Sequence, residues 1–100
     1  MRILPEIAGD LAAAANWYDQ EGGRELGDRF VALFYSKVFE AAGKPEAHAK
    51  IYGEYRRILL KPFPYKLYFR IMGREVVFVL LIHAARNPLA IEQQLRVRNP

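Results

Sequence analysis

Midway along this chain the spacing of apolar residues changes from the period of a helix to the period of a strand. In the first half, Ile7, Leu11, Ala14, Ala15 and Tyr18 recur at i, i+4, i+7, i+8 and i+11, the stripe of an amphipathic helix. In the second half, Tyr55, Arg57, Leu59 and Lys61 alternate with Arg56, Ile58 and Leu60. Tyr65, Leu67, Phe69 and Ile71 then alternate with Lys66, Tyr68 and Arg70. A sequence of period two buries one face only as a strand. Helices followed by strands therefore predict an α+β fold.

Turn residues divide these blocks. A first helix opens at Glu6 and stops at Gly22-Gly23, where glycine tolerates the left-handed backbone of a helix end. A second begins near Glu25 or Leu26 and runs to about Ala42, ended by Gly43-Lys44-Pro45. Its apolar stripe of Leu26, Phe30, Leu33 and Phe34 is widened by Val31, Tyr35, Val38 and Phe39. That is too much for one buried face, so the helix is either largely enclosed or meets another chain. Residues 45–53 read as an irregular connection.

Pro62-Phe63-Pro64 breaks the first strand pair, and Met72-Gly73-Arg74 suits a hairpin loop. Residues 76–83 are apolar on both faces, the mark of a strand covered on both sides. Arg2-Ile3-Leu4 adds a short leading strand, closed by Pro5. Asn87-Pro88 allows one short helix through Leu95, and residues 96–100 form a loose basic tail. The expected order is β-α-α-β-β-β, an antiparallel meander with a helical hairpin on one face. One domain spans residues 1–100, with residues 86–100 as its C-terminal extension.

Composition excludes several chemistries. The chain has no cysteine, which removes disulfides, a thiolate nucleophile and sulfur-held zinc. Two histidines, His48 and His83, are too few for a histidine metal centre, so neither metal nor cofactor is expected. The longest apolar run, residues 76–82, has seven residues, far short of the ~18 needed to span a membrane. Met1-Arg2-Ile3-Leu4-Pro5 meets Glu6 at once, which predicts no leader and a cytoplasmic protein.

The charge divides unevenly. Residues 1–50 carry six Lys/Arg and eight Asp/Glu, while residues 51–100 carry nine and three. A basic half on a small domain is either a solvated surface or a surface for a polyanion, such as nucleic acid or an acidic protein segment.

Leu4-Pro5-Glu6, Trp17-Tyr18-Asp19, Glu25-Leu26-Gly27-Asp28-Arg29-Phe30 and Tyr55-Arg56-Arg57 follow one another in a distinctive order. Phe63-Pro64-Tyr65, Leu67-Tyr68-Phe69-Arg70 and His83-Ala84-Ala85-Arg86-Asn87-Pro88 complete it. In this order the chain resembles the RelE/ParE superfamily of type II toxin–antitoxin toxins, over roughly residues 3–88, and most of all its ParE-like plasmid stabilisation branch. The resemblance implies a toxin neutralised by a cognate antitoxin. RelE-type members cut mRNA within the ribosome, whereas ParE-type members poison DNA gyrase without cutting.

A metal-free ribonuclease needs convergent cations and a group that exchanges a proton. By the resemblance, Arg57, Lys66 and Arg86 fall near the basic positions of RelE-type toxins, and they are the catalytic candidates if this chain is a ribonuclease. A second basic position holds Leu59, and Glu92 stands near where a C-terminal Tyr is expected. Tyr68, His83 or Glu92 are the available substitutes. This incomplete set favours binding to gyrase over cleavage.

Arg57, Lys66, Tyr68, Arg70 and Arg86, with Phe34 and Phe39 of the over-apolar helix, are the expected contacts for target or antitoxin. Tyr68 reads either as a packing aromatic with its hydroxyl in water or as a base-stacking residue. His83 reads as a hydrogen-bonded structural residue. Trp17 and Tyr18 read as packing between helix and sheet, and Asp10, Asp19, Glu21, Glu25 and Asp28 as a solvated helix surface. The partner implied is an amphipathic, acidic antitoxin segment that folds on binding, giving a hetero-oligomer with no membrane contact. A third option is a non-toxic member that only binds its antitoxin.

Overall fold

A computed structural model describes the whole chain, Met1 to Pro100. Helix α1 spans Glu6–Gly22 and α2 spans Arg24–Gly43. Only Gly23 separates them. Its φ of +86° lies where glycine alone is unstrained, and its N–H donates to the Asp19 carbonyl at 2.8 Å, so the chain reverses in one residue. Gly27 lets the helices approach: a Cβ there would lie 2.8 Å from the Ala15 carbonyl oxygen, and nearer still to the Asp19 carboxylate.

The strands are β1 (Arg2–Ile3), β2 (Lys50–Tyr52), β3 (Tyr55–Leu59), β4 (Tyr65–Met72) and β5 (Glu75–His83). They form one sheet in the order β1-β5-β4-β3-β2. β3, β4 and β5 pair antiparallel, as the expected meander requires, and β2 adds a further antiparallel pair. Two features differ from that expectation. β1 runs parallel to β5, pairing Arg2 with Val77 and Ile3 with Phe78, so the sheet is mixed. The connection of residues 45–53 also contains β2, which continues the sheet beyond β3; three residues are too few for an apolar alternation to show.

The helical hairpin packs on one face of the sheet. α2 buries Gly27, Phe30, Phe34, Val38 and Ala41, a run of three- and four-residue steps that makes one stripe. These side chains meet Ile7 and Tyr18 of α1 and Ile58, Leu67, Phe69 and Phe78 of the sheet in the larger core cluster.

The opposite face is not open. Helix α3 (Pro88–Val97) packs across it, burying Ile91 and Leu95 against Tyr68, Val77, Val79, Leu80 and Ile82. Burying two such aliphatic side chains stabilises by about 1.5–3 kcal/mol each. Asn87 caps this helix, its side-chain oxygen accepting the Leu89 N–H at 2.8 Å. A register shift helps, because Tyr68 pairs with Leu80 while Phe69 pairs with Phe78. The extra residue, Val79, puts two consecutive side chains of β5 in the cluster beneath α3. The expectation of an exposed basic sheet face and a loose tail is thus corrected, since the C-terminal extension is the third layer.

Candidate functional site

Cross-strand register brings two of the expected cations together. Arg57 pairs with Tyr68 and Leu59 with Lys66, so Arg57 and Lys66 are diagonal neighbours on one face of β3 and β4. Neither has a carboxylate within ion-pairing distance. Burial, reinforced by the Arg57 charge, holds the Lys66 ammonium below its ordinary pKa. The Tyr68 hydroxyl beside them is buried without a hydrogen-bond partner. Burial pushes its pKa up, and the nearby Arg57 offsets part of that rise. The Tyr52 ring lies 6.0 Å away and completes the cluster. Two adjacent, unpaired cations at a half-buried site are suited to hold an anion.

The other expected contacts lie elsewhere. Arg70 donates to Asn99 Oδ1 at 3.2 Å and sits over the Tyr55 ring, 5.3 Å from its centre. Tyr55 donates in turn toward the Leu95 carbonyl at 3.4 Å and Asn99 Oδ1 at 3.3 Å. Arg70 therefore fastens the C-terminal segment to the sheet. Arg56 is likewise engaged, donating to the His48 carbonyl at 2.7 Å, and the His48 ring packs 5.7 Å from Phe69.

Arg86 is exposed at the far end of β5, where it lines a groove of about 310 Å³ with Asp10, Trp17, His83, Gln94 and Arg98. Phe39 is 63% exposed and open to a partner. Phe34 is not, being 1% exposed in the core. Tyr68 is fully buried, and neither it nor Phe34 is a surface contact. α3 covers the first, and the sheet-facing stripe of α2 takes in the second.

Asp10 and Arg98 matter more than their sequence context suggests. Asp10 follows Ile7 by three residues and precedes Ala14 by four, so it borders the apolar stripe of α1 and turns inward. Its carboxylate accepts two hydrogen bonds from Arg98, at 2.6 and 2.8 Å. An acid on the margin of a buried stripe is the signal that could have found this pair.

No protein-family model matches the chain. The Toxin ParE2 sequences of Mycobacterium tuberculosis strains CDC 1551 / Oshkosh and ATCC 25618 / H37Rv are each 27% identical to it over 99 residues. The match covers 98% of this chain and 93% of each relative. A helical hairpin packed on a mixed sheet, closed by a short C-terminal helix, is the architecture expected of the RelE/ParE superfamily. The architecture and this match together make the chain similar to the ParE-like toxins of that superfamily. No helix of the chain is long and apolar enough to cross a membrane.

Proposed function

We propose that this chain is the toxin component of a type II toxin–antitoxin module, that it arrests growth by binding DNA gyrase, and that a cognate antitoxin neutralises it. The observation that carries this reading is the similarity to Toxin ParE2, which extends over nearly the full length of both chains.

The state of the ionisable groups supports binding over catalysis. Ribose 2′-OH activation needs a group that exchanges protons near neutral pH. The Tyr68 hydroxyl is buried, with its pKa raised. Glu92 pairs with Arg96 on α3 at 3.4 Å, and His83 lines the groove of Arg86 rather than the Arg57–Lys66 pair. The histidine nearest a candidate cation therefore stands with Arg86, apart from the Arg57–Lys66 pair.

One observation favours the second reading, a ribosome-dependent endoribonuclease. Arg57 and Lys66 are diagonal neighbours with no carboxylate partner, the convergent positive charge that a metal-free ribonuclease needs at the phosphorane. Controlled expression separates the two. Gyrase poisoning produces filamentation and a DNA-damage response with intact mRNA. Growth arrest with message cut at ribosomal A-sites overturns the gyrase reading. Harmless high-level expression of the free chain overturns both and leaves a member that only binds its antitoxin.

A further inference from the structure

The groove between α1, the end of β5 and α3 is a separate concavity from the Arg57–Lys66 pair; of its lining, Arg86 and His83 figure among the candidates named above, while Trp17, Asp10 and Arg98 do not. Its walls combine three kinds of group. Trp17 is 54% exposed, and its indole meets the buried Tyr18 edge-on, with centroids 5.1 Å apart. A large aromatic at a groove margin with a fixed neighbour is a ready stacking surface.

His83 forms a second wall, its ring 5.2 Å from that of Tyr65. Its Nδ1 accepts the Ala85 N–H at 3.0 Å. That bond leaves the neutral ring's proton on Nε2 as a free donor. Arg86 is the third element, an exposed guanidinium with no carboxylate partner.

The charge of the groove is decided by a pairing within it. Its acid, Asp10, is neutralised by Arg98 through both oxygens. Arg86 therefore remains as uncompensated positive charge. The concavity of about 310 Å³ adjoins a second of about 290 Å³ that shares Trp17, Tyr65 and His83. Each is near the lower bound of ~300–1,000 Å³ for small-molecule sites.

We propose that this groove is a nucleotide site, with a base stacked on Trp17 and a phosphate held by Arg86 and the Nε2–H of His83. The chemistry is that of one nucleotide unit, free or within a single strand. An acidic peptide would satisfy Arg86 but leave the aromatic walls without a planar partner. The site is independent of the toxin reading, because a chain that poisons gyrase, cuts message or does neither keeps the same groove.

Trp17 is the chain's one tryptophan, so its fluorescence reports on the groove alone. The purified full chain is titrated with adenosine monophosphate, an eight-nucleotide single-stranded DNA and a glutamate octapeptide. Saturable quenching by either nucleotide probe supports the site. Quenching by the mononucleotide alone identifies a free-nucleotide site, and at least tenfold tighter binding of the oligonucleotide identifies a strand site.

Arg86→Ala, a change at an exposed and unbonded side chain, is expected to weaken binding about tenfold. Arg74→Ala, in the distant hairpin loop, leaves it unchanged. Trp17→Ala, followed by the anisotropy of labelled oligonucleotide, is expected to lose binding by a similar factor. Absence of saturable quenching by either nucleotide, binding by the octapeptide alone, or binding that survives Arg86→Ala overturns the proposal.

Discussion

Arg98, just past the end of α3, grips Asp10 of α1 through two parallel hydrogen bonds, Nη1 to Oδ2 at 2.6 Å and Nη2 to Oδ1 at 2.8 Å. The same groups bond the edge of β5. Asp10 Oδ2 accepts the Leu81 N–H at 3.1 Å, and Arg98 Nη1 donates to the Val79 carbonyl at 3.1 Å. β1 pairs with β5 only at Val77 and Phe78, so the strand edge beyond it needs other partners. The ion pair takes the place of the missing strand and joins both helical layers to the sheet.

Breaking this pair is expected to cost more than a surface salt bridge. Both side chains are about 85% buried, at 14–15% relative exposure, and each also satisfies a backbone group. Asp10→Ala or Arg98→Ala should lower the unfolding free energy by roughly 2–4 kcal/mol in urea denaturation. The swap Asp10→Arg with Arg98→Asp should not restore it. It would put a donor at the Leu81 N–H and an acceptor at the Val79 carbonyl, so full recovery in the swap would show that charge attraction alone holds the clasp.

Lys66 predicts a pH dependence with a definite sign. Its pKa in the folded chain lies below the ordinary 10.5, so between the two values the unfolded chain binds more protons. Stability from this group rises with pH across that window, is complete above 10.5, and is lost as pH falls through the folded value. Thermal unfolding should show this rise in the wild type and not in Lys66→Met. If Arg57 and Lys66 hold an anion, added phosphate should raise the Tm of the wild type more than that of Lys66→Met.

Phe34 and Phe39 sit five residues apart on α2 and should behave in opposite ways. Phe34→Ala empties a core position and is expected to cost about 3–5 kcal/mol of stability. Phe39→Ala changes a side chain that is 63% exposed and should shift stability by no more than about 0.5 kcal/mol. If α2 meets the antitoxin, Phe39→Ala should weaken the toxin–antitoxin complex in a calorimetric titration. Unchanged affinity would remove α2's outer face from the interface.

Gly27→Ala tests the approach of the two helices. The added methyl would crowd the Ala15 carbonyl and the Asp19 carboxylate, and moving Asp19 relieves only half of that contact. A loss of about 1–3 kcal/mol is expected by chemical denaturation. A neutral result would mean that α1 and α2 slide apart freely.

Most of the fold is legible in the residues because its elements are long enough to show their period. The boundaries of α1 and α2 follow from Gly22-Gly23 and Gly43-Lys44-Pro45. β3 and β4 follow from alternation, β5 from its unbroken apolar run, and the turn between β4 and β5 from Gly73, where φ is +64°. β2 is three residues long, and no period is readable over that span. The parallel pairing of β1 depends on its position beside β5, which local sequence does not encode.

The candidate site is less legible, and β5 explains why. A strand apolar on both faces requires cover on both, and that cover is Ile91 and Leu95 of α3. The alternation of β4 places Lys66, Tyr68 and Arg70 on one face with no sign of what covers it, yet Tyr68 on that face lies under α3. Arg57 and Lys66 become diagonal neighbours through the β3–β4 register, Arg70 is held at Asn99 by a contact remote in sequence, and Arg86 lines the Trp17 groove through its place just past β5.

The most direct test of binding without cleavage uses the purified chain in two reactions. In the first, DNA gyrase supercoils relaxed plasmid with increasing amounts of the chain, with or without its antitoxin. In the second, ribosomes programmed with a defined message receive the same amounts. A gyrase-binding toxin abolishes supercoiling, is reversed by the antitoxin, and leaves the message uncut. Normal supercoiling with message cut at the A-site would contradict the gyrase reading.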